Sequence, residues 1–190
     1  MLDRFKSEGF TLIDCLIAVT MLAIVAGFAA PDLQAMHHSK EGRLTLRKIA
    51  DAVHLARSSA IQTGHMVTLC PSADGRTCGG AWHNGMMVFE DKDNDHKMGD
   101  TDELLSHFQF PGLSGSLHWR AFQNRQYLQI TPQGFTRYQN GNFTWCPSRD
   151  SKVTARQMII NRAGRVRYAS DSDGDGLREN SQGEPIRCPG

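Results

Sequence analysis

The chain has 190 residues, with 21 Lys and Arg against 20 Asp and Glu, a formal net charge of +1 at pH 7 and 39 % hydrophobic residues. That balance excludes a polyelectrolyte, so any charge-driven partner has to be met by one region of the chain. Catalysis is not signalled either: no G-x-S-x-G, H-E-x-x-H or phosphate-cradling P-loop occurs and the histidines are scattered, which places an enzyme last among the function classes.

In chain order, the segment "MLDRFKSEG" carries two bases and two acids and precedes an apolar run, Phe10 to Ala30, bounded by Gly9 and Pro31. A run of about 20 apolar residues is long enough to cross a bilayer as a helix. The mixed charge in front and the lack of a small-residue cleavage site behind set it apart from an ordinary secretory signal. Arg4 and Lys6 place the N-terminus in the cytoplasm, against the opposing vote of Lys40, Arg43, Arg47 and Lys48 beyond the span. Asp14 is the informative residue, because an ionisable group at membrane depth costs roughly 2.5 to 3.5 kcal/mol and is kept for a partner or a function. No base lies within the span. A cut after Gly9 would expose the α-amino group of Phe10 as a cation able to meet Asp14 between staggered subunits; the plain alternative is an acid that snorkels to the interface.

This stretch resembles the class III leader and N-terminal helix of type IV pilins and type II secretion pseudopilins. Gly9 stands before the cut, Phe10 is the first mature residue, "TLI" follows, Asp14 is the acid at the fifth mature position, and Pro31 is the proline at the twenty-second. The resemblance implies removal of the leader, residues 1–9, by a prepilin peptidase, N-methylation of Phe10, insertion of 10–30 in the inner membrane as a single pass, and an assembly role for Asp14. The family's usual residue at that fifth position is glutamate; aspartate is one methylene shorter.

Beyond the span, Leu46, Ile49, Val53, Ala56 and Ala60 recur at helical spacing as one apolar stripe, with Lys48, Asp51, Arg57 and Ser58 elsewhere around the helix. The helix is expected to continue over 31–63, with Gly64 as its C-cap, and to pack its stripe on a sheet. From His65 onward, short β-forming runs alternate with turns: "HMVTLCP", "GMMVFED", "LLSHFQF", "SLHWRAF", "YLQITPQGFTRY", "NFTWCP" and "ARQMIINRAGRVRYA". The fold class is therefore α+β, a long N-terminal helix packed on an antiparallel β-sheet domain over 64–190.

Of five cysteines, Cys15 lies in the span as a lipid- or partner-facing residue, and four remain, with three possible pairings. Cys70 and Cys78 enclose the turn-rich "CPSADGRTC", and Cys146 ends a strand-like run while Cys188 lies near the C-terminus; the pairs Cys70 with Cys78 and Cys146 with Cys188 are expected. Zinc is the rival, but neither C-x-x-C nor a His pair at ligand spacing occurs, and the adjacent His37 and His38 read as interfacial. Disulfides point to an oxidising compartment, here the periplasm.

The order of "CPSADGRTC", "WHNGMMVFEDKDND", "DELL", a "GFTRY" hairpin, "FTWCPSRD" and "INRAGRVRY" resembles the GspH/FimT-like minor pilins and pseudopilins, from Arg57 to Ala169. Charge is concentrated in the same part. Between Leu117 and Ala169 nine bases (Arg120, Arg125, Arg137, Arg149, Lys152, Arg156, Arg162, Arg165 and Arg167) face one acid, Asp150. A spatial cluster of that kind neutralises phosphates and releases counterions, and a solvated set of arginines is the plain alternative. In "GRVR", a turn at Ala163 and Gly164 followed by a strand puts Arg165 and Arg167 on one face, two guanidinium forks suited to a phosphate backbone. The same G-R-x-R tetrapeptide occurs in FimT-like minor pilins implicated in DNA uptake during natural transformation; the resemblance selects Gly164, Arg165 and Arg167 as a candidate site for double-stranded DNA. Arg178 and Arg187, set among acids, are expected to matter less.

Two acidic runs remain. "DSDGDG" places Asp171, Asp173 and Asp175 at positions one, three and five and Gly176 at six of a calcium loop, with Gln182 at twelve where a bidentate glutamate would belong and Glu179 or Glu184 as substitutes. "EDKDNDHKMGDTDE", Glu90 to Glu103, offers more carboxylates but no glycine at the sixth place. Calcium is thus the candidate ion, and no other cofactor is signalled. The resulting expectation is a minor pilin of a type IV pilus, at or near its tip, helping to initiate the fibre among major and minor pilin subunits and carried from the inner membrane to the cell surface. The rival is a minor pseudopilin of type II secretion that meets secreted protein cargo.

Overall fold

The computed structural model describes residues 11–148 and 154–189, excepting the side chains of 28–35 and 37. The leader, Gly9, Phe10, the side chain of His37, and the charged residues Arg149, Asp150 and Lys152 lie outside the described residues. Two compact units divide the chain, Met1–His37 and His38–Gly190.

Helix α1 runs over Leu12–Thr63. In the first unit Thr11 caps it: its hydroxyl accepts the Asp14 amide at 3.3 Å, while the Asp14 carboxylate accepts the Thr11 amide at 3.0 Å and hydroxyl at 2.7 Å, a reciprocal capping box. From Thr11 to Gly27 every side chain is exposed. Among the described residues no helix is long and apolar enough to cross a membrane; the apolar run Phe10–Ala30 extends past the described side chains at both ends.

In the second unit the helix keeps an apolar stripe and buries it. Leu46, Ile49, Val53, Ala56 and Ala60 all lie in the main core, and the chain stops being helical at Gly64, whose amide donates to the Ala60 carbonyl at 3.1 Å with φ of 74°. Among the described residues eight strands follow: β1 Met66–Pro71, β2 Met86–Asp91, β3 Glu103–Phe108, β4 Ser116–Ala121, β5 Leu128–Ile130, β6 Gly141–Cys146, β7 Arg156–Ile160 and β8 Val166–Tyr168. They divide into two four-stranded sheets, ordered β3-β2-β1-β5 and β4-β6-β7-β8, every pair antiparallel.

Strand β2 shows why the sequence "MMVFED" lacks an alternating polar face: it is buried on both sides. Met86 and Val88 point into the main core, whereas Met87 and Phe89 join Cys70 in a second cluster covered by Cys78, Met98 and Tyr127. The bridge Cys70–Cys78 ties down the loop over that cluster. Within the loop, Asp74 accepts hydrogen bonds from the Thr77 and Arg76 amides, which, with the Ser72 and Thr77 hydroxyls, hold its carboxyl far below the usual range. The second bridge, Cys146–Cys188, fastens the C-terminal tail to β6 across 42 residues. Cys15 is the free and exposed cysteine.

The helix meets the second sheet at Trp145 of β6, which is fully buried. A Cβ on Gly42 would come within 2.5 Å of its ring, so a residue without a side chain is required where α1 passes over it. Immediately before Gly42 in the chain, Glu41 bonds the loop before β4: its carboxylate accepts the Ser114 hydroxyl at 2.6 Å and the Ser114 and Gly115 amides at 2.9 and 3.1 Å.

Candidate functional site

The β7–β8 hairpin is built on a turn at Asn161–Gly164. The Gly164 amide donates to the Asn161 carbonyl at 2.9 Å, and the Arg165 amide donates to Asn161 Oδ1 at 3.0 Å. Gly164 is required twice over: its φ is 67°, and a Cβ there would lie 2.7 Å from the Gly134 carbonyl oxygen. Arg57 of α1 donates to that same oxygen at 3.2 Å, and the Thr136 amide donates to the Arg162 carbonyl at 2.9 Å. The turn is thereby fixed to the segment joining β5 and β6.

Past the turn, Val166 packs against the core while Arg165 and Arg167 on either side of it are exposed, so the alternation of a strand separates one apolar from two basic side chains. Among the described residues neither guanidinium has an ion-pair or hydrogen-bond partner. At the turn before β8, Arg162 and Ala163 line a cavity of about 680 Å³ with Arg137, Phe135, Tyr138 and Pro132. Phe135 and Tyr138 are 51 % and 63 % exposed, so two aromatic rings lie open in the same lining as Arg137 and Arg162. Cations that track phosphates beside exposed rings form the physical pattern of a nucleic-acid surface.

At the other end of β8, Tyr168 and Ala169 line a second cavity, about 520 Å³, with Arg43, Arg47 and His54 of α1, Arg156 of β7 and Arg178. Asp51 is its one acid. Burial, and then the positive charges of Arg178 and Arg43, lower the pKa of the Arg156 guanidinium. Arg156 donates to the Ser39 hydroxyl at 2.7 Å, yet its Nε is buried without a partner. Four like charges around an apolar floor of Leu46, Ala50 and Ala169 make this groove receptive to an anion.

Other expected site residues are placed as follows. Gly9 and Phe10 lie outside the described residues, and Asp14 is engaged by Thr11 of its own chain. Asp171, Asp173, Asp175 and Glu179 bring one carboxylate oxygen each to within 4.8 Å of one another. Asp171 accepts the Gly174 and Gly176 amides at 2.7 and 2.9 Å, and Glu179 accepts the Ser172 amide and hydroxyl, both at 2.7 Å. Glu184 faces Asn180 instead, at 3.4 Å. Asp91, Asp93 and Asp95 form a second group of the same kind.

Three features were not legible in the chain. Phe135 and Tyr138 read as hairpin residues, and hydrogen bonds from the Thr136 amide and hydroxyl to the Arg162 carbonyl put them beside the turn that leads into β8. Arg43 and Arg47 read as juxtamembrane charge, yet they line the groove beside β8. Arg178, expected to be offset by its acidic neighbours, lies with Arg43 and Arg156 because it donates to Thr154 at 3.0 Å.

Two crystal forms of one solved structure share this architecture. The type IV minor pilin FimU of Pseudomonas aeruginosa superposes with a TM-score of 0.55 at 15 % identity, over 70 % of this chain and 90 % of that one. A second crystal form of FimU gives 0.51 at 15 % identity, over 67 % and 92 %. The minor pseudopilin EpsH of the Vibrio cholerae type 2 secretion system gives 0.49 at 10 % identity, over 70 % and 99 %. No curated protein matches the chain. Residues 45–164 match the model of the family described as type II transport protein GspH. The chain belongs to that GspH family, as a type IV pilin-like structural subunit and not an enzyme.

Proposed function

We propose that this protein is a minor pilin of a type IV pilus, incorporated at or near the tip, where it helps to initiate the fibre and binds double-stranded DNA through the basic face around Arg165 and Arg167. In this reading a prepilin peptidase removes residues 1–9, Phe10 is methylated, the run to Ala30 holds the subunit in the inner membrane, and the disulfide-bonded domain faces the periplasm. Other pilin subunits then receive Asp14 through the amine of Phe10.

One observation carries the DNA reading: two exposed guanidiniums, unpartnered among the described residues, share one strand face, and the turn that leads into that strand lines a cavity with two further arginines and two open aromatic rings. Phosphate contacts position DNA and carry no sequence information, so binding should be weak, insensitive to sequence and steeply lost with salt. The test is a salt titration of duplex binding by the chain from Ser39 onward and by its R165Q/R167Q double mutant. Each lost phosphate contact lowers the slope of log affinity against log salt by about 0.9, so the double mutant should lose about 1.8. Equal affinity and slope in the two proteins would remove the DNA reading.

A second reading is favoured by the description of the matched family: a minor pseudopilin of type II secretion, whose basic face meets protein cargo. Loss of secretion with intact pili in a deletion strain would select it; loss of pili and of transformation would select the first.

A further inference from the structure

Strand β2 ends on Asp91, whose side chain is fully buried. Its Oδ2 accepts the Thr68 hydroxyl at 2.7 Å and the Gln129 amide nitrogen at 2.8 Å. Its Oδ1, also buried, has no partner. Among the described residues no Lys or Arg is paired with it. His96 Nδ1 stands 3.7 Å from the carboxylate, but the Gln129 amide nitrogen is 3.1 Å from the same Nδ1. The Gln129 amide nitrogen thus lies between the two, 2.8 Å from Asp91 Oδ2 and 3.1 Å from His96 Nδ1. Lys92, the adjacent base, is paired with Glu103 at 4.0 Å. A carboxylate withdrawn from water without a compensating charge is strongly disfavoured.

Asp93 and Asp95, both exposed, each bring a carboxylate oxygen to within 4.8 Å of the others and of Asp91. Oxygens bound to one calcium ion at 2.3–2.6 Å are at most about 5 Å apart. The buried Oε1 of Gln129, likewise without a partner, is a further acceptor beside Asp91. His96, sixth from Asp91, has φ of 69°, the left-handed turn that a glycine supplies in other calcium loops.

We propose that Asp91, Asp93 and Asp95 hold a calcium ion. The ion supplies the missing positive charge, binds the start of the β2–β3 loop, and through Asp91 joins that loop to Thr68 of β1 and Gln129 of β5. The Asp171–Glu179 loop brings four carboxylates together against three here, but it has no buried, unpartnered oxygen, and it carries no such proposal.

The test uses the full chain in detergent, stripped with EGTA and titrated with calcium chloride while thermal unfolding is followed. The unfolding midpoint should rise with calcium in the 10⁻⁴ to 10⁻³ M range found for extracellular modules, and about 10-fold more magnesium should be needed, since magnesium tolerates only near-octahedral sites. In D93N/D95N, whose substitutions are on exposed side chains, the midpoint in EGTA should not fall, while calcium affinity drops at least about 10-fold. D171N/D173N should respond as wild type does. No calcium response in wild type, an equal response in D93N/D95N, or a response abolished only by D171N/D173N would each overturn the proposal.

Discussion

Two stretches of helix α1 use apolar residues in opposite ways. From Leu12 to Val25 the large apolar side chains point in every direction and all are exposed, whereas from Leu46 to Ala60 they keep to one face and are buried. The same secondary structure, and a comparable apolar content, therefore lead to different surroundings. Periodicity makes the difference: a one-sided stripe is completed by a sheet, while an apolar surface on all sides suits a lipid or a bundle of like helices. Polar residues follow the same division, since Asp14 bonds within its own turn and Glu41 reaches the loop before β4.

The sharpest way to break that comparison is to put a charge on each surface. V53D buries a carboxylate in the main core, where no cation is on hand, and should destabilise the domain by more than about 4 kcal/mol, read as loss of the cooperative urea transition. Next comes the close passage of the helix over Trp145. G42A gains up to about 1 kcal/mol of helix propensity but drives a methyl into a fully buried ring, so a net loss of about 1 to 3 kcal/mol is expected; a stabilised G42A would show that the helix shifts freely over the sheet.

E41Q tests the polar tie with a smaller effect. Burial alone would raise the Glu41 carboxyl, but the Ser114 hydroxyl and the amides of Gly115 and Ser114, with His38, hold it below the ordinary range. A folded-state value below the unfolded one, about 4.3, adds stability above that pH, and this stability disappears as pH falls through the folded value. At pH 7 E41Q should therefore lose about 1 to 2 kcal/mol, and its stability should converge on wild type as pH falls through the folded-state value of Glu41. Parallel curves down to acid would assign the loss to packing.

The smallest effect on the domain belongs to D14A, which leaves the apolar stripe untouched and should change its unfolding by less than about 0.5 kcal/mol. Fibre incorporation should nevertheless fall. If incorporation is normal, the carboxylate serves only the capping box with Thr11.

Much of this architecture was legible because it depends on local rules. The stripe Leu46 to Ala60 predicts the buried helix face, Gly64 its end, and the turn-bounded β-runs the strands, since each is set by neighbours within a few residues. The split into two sheets was not, because β5 leaves its neighbours in sequence to pair with β1, and nothing in "YLQIT" specifies that partner.

The sites divide the same way. The sequence by itself determined that Arg165 and Arg167 share a strand face and that the acidic runs carry carboxylates at every second position, because backbone period decides both. Only the tertiary structure decided what stands beside them. Phe135 and Tyr138 are brought to the β7–β8 turn by hydrogen bonds from the Thr136 amide and hydroxyl to the Arg162 carbonyl, Arg178 is placed by its bond to Thr154, and Asp91, one acid among many in its run, is the one enclosed by Thr68 and Gln129. Burial, which turns a solvated carboxylate into one that requires a cation, depends on segments far apart in the chain, and so it is not written in the order of the residues around it.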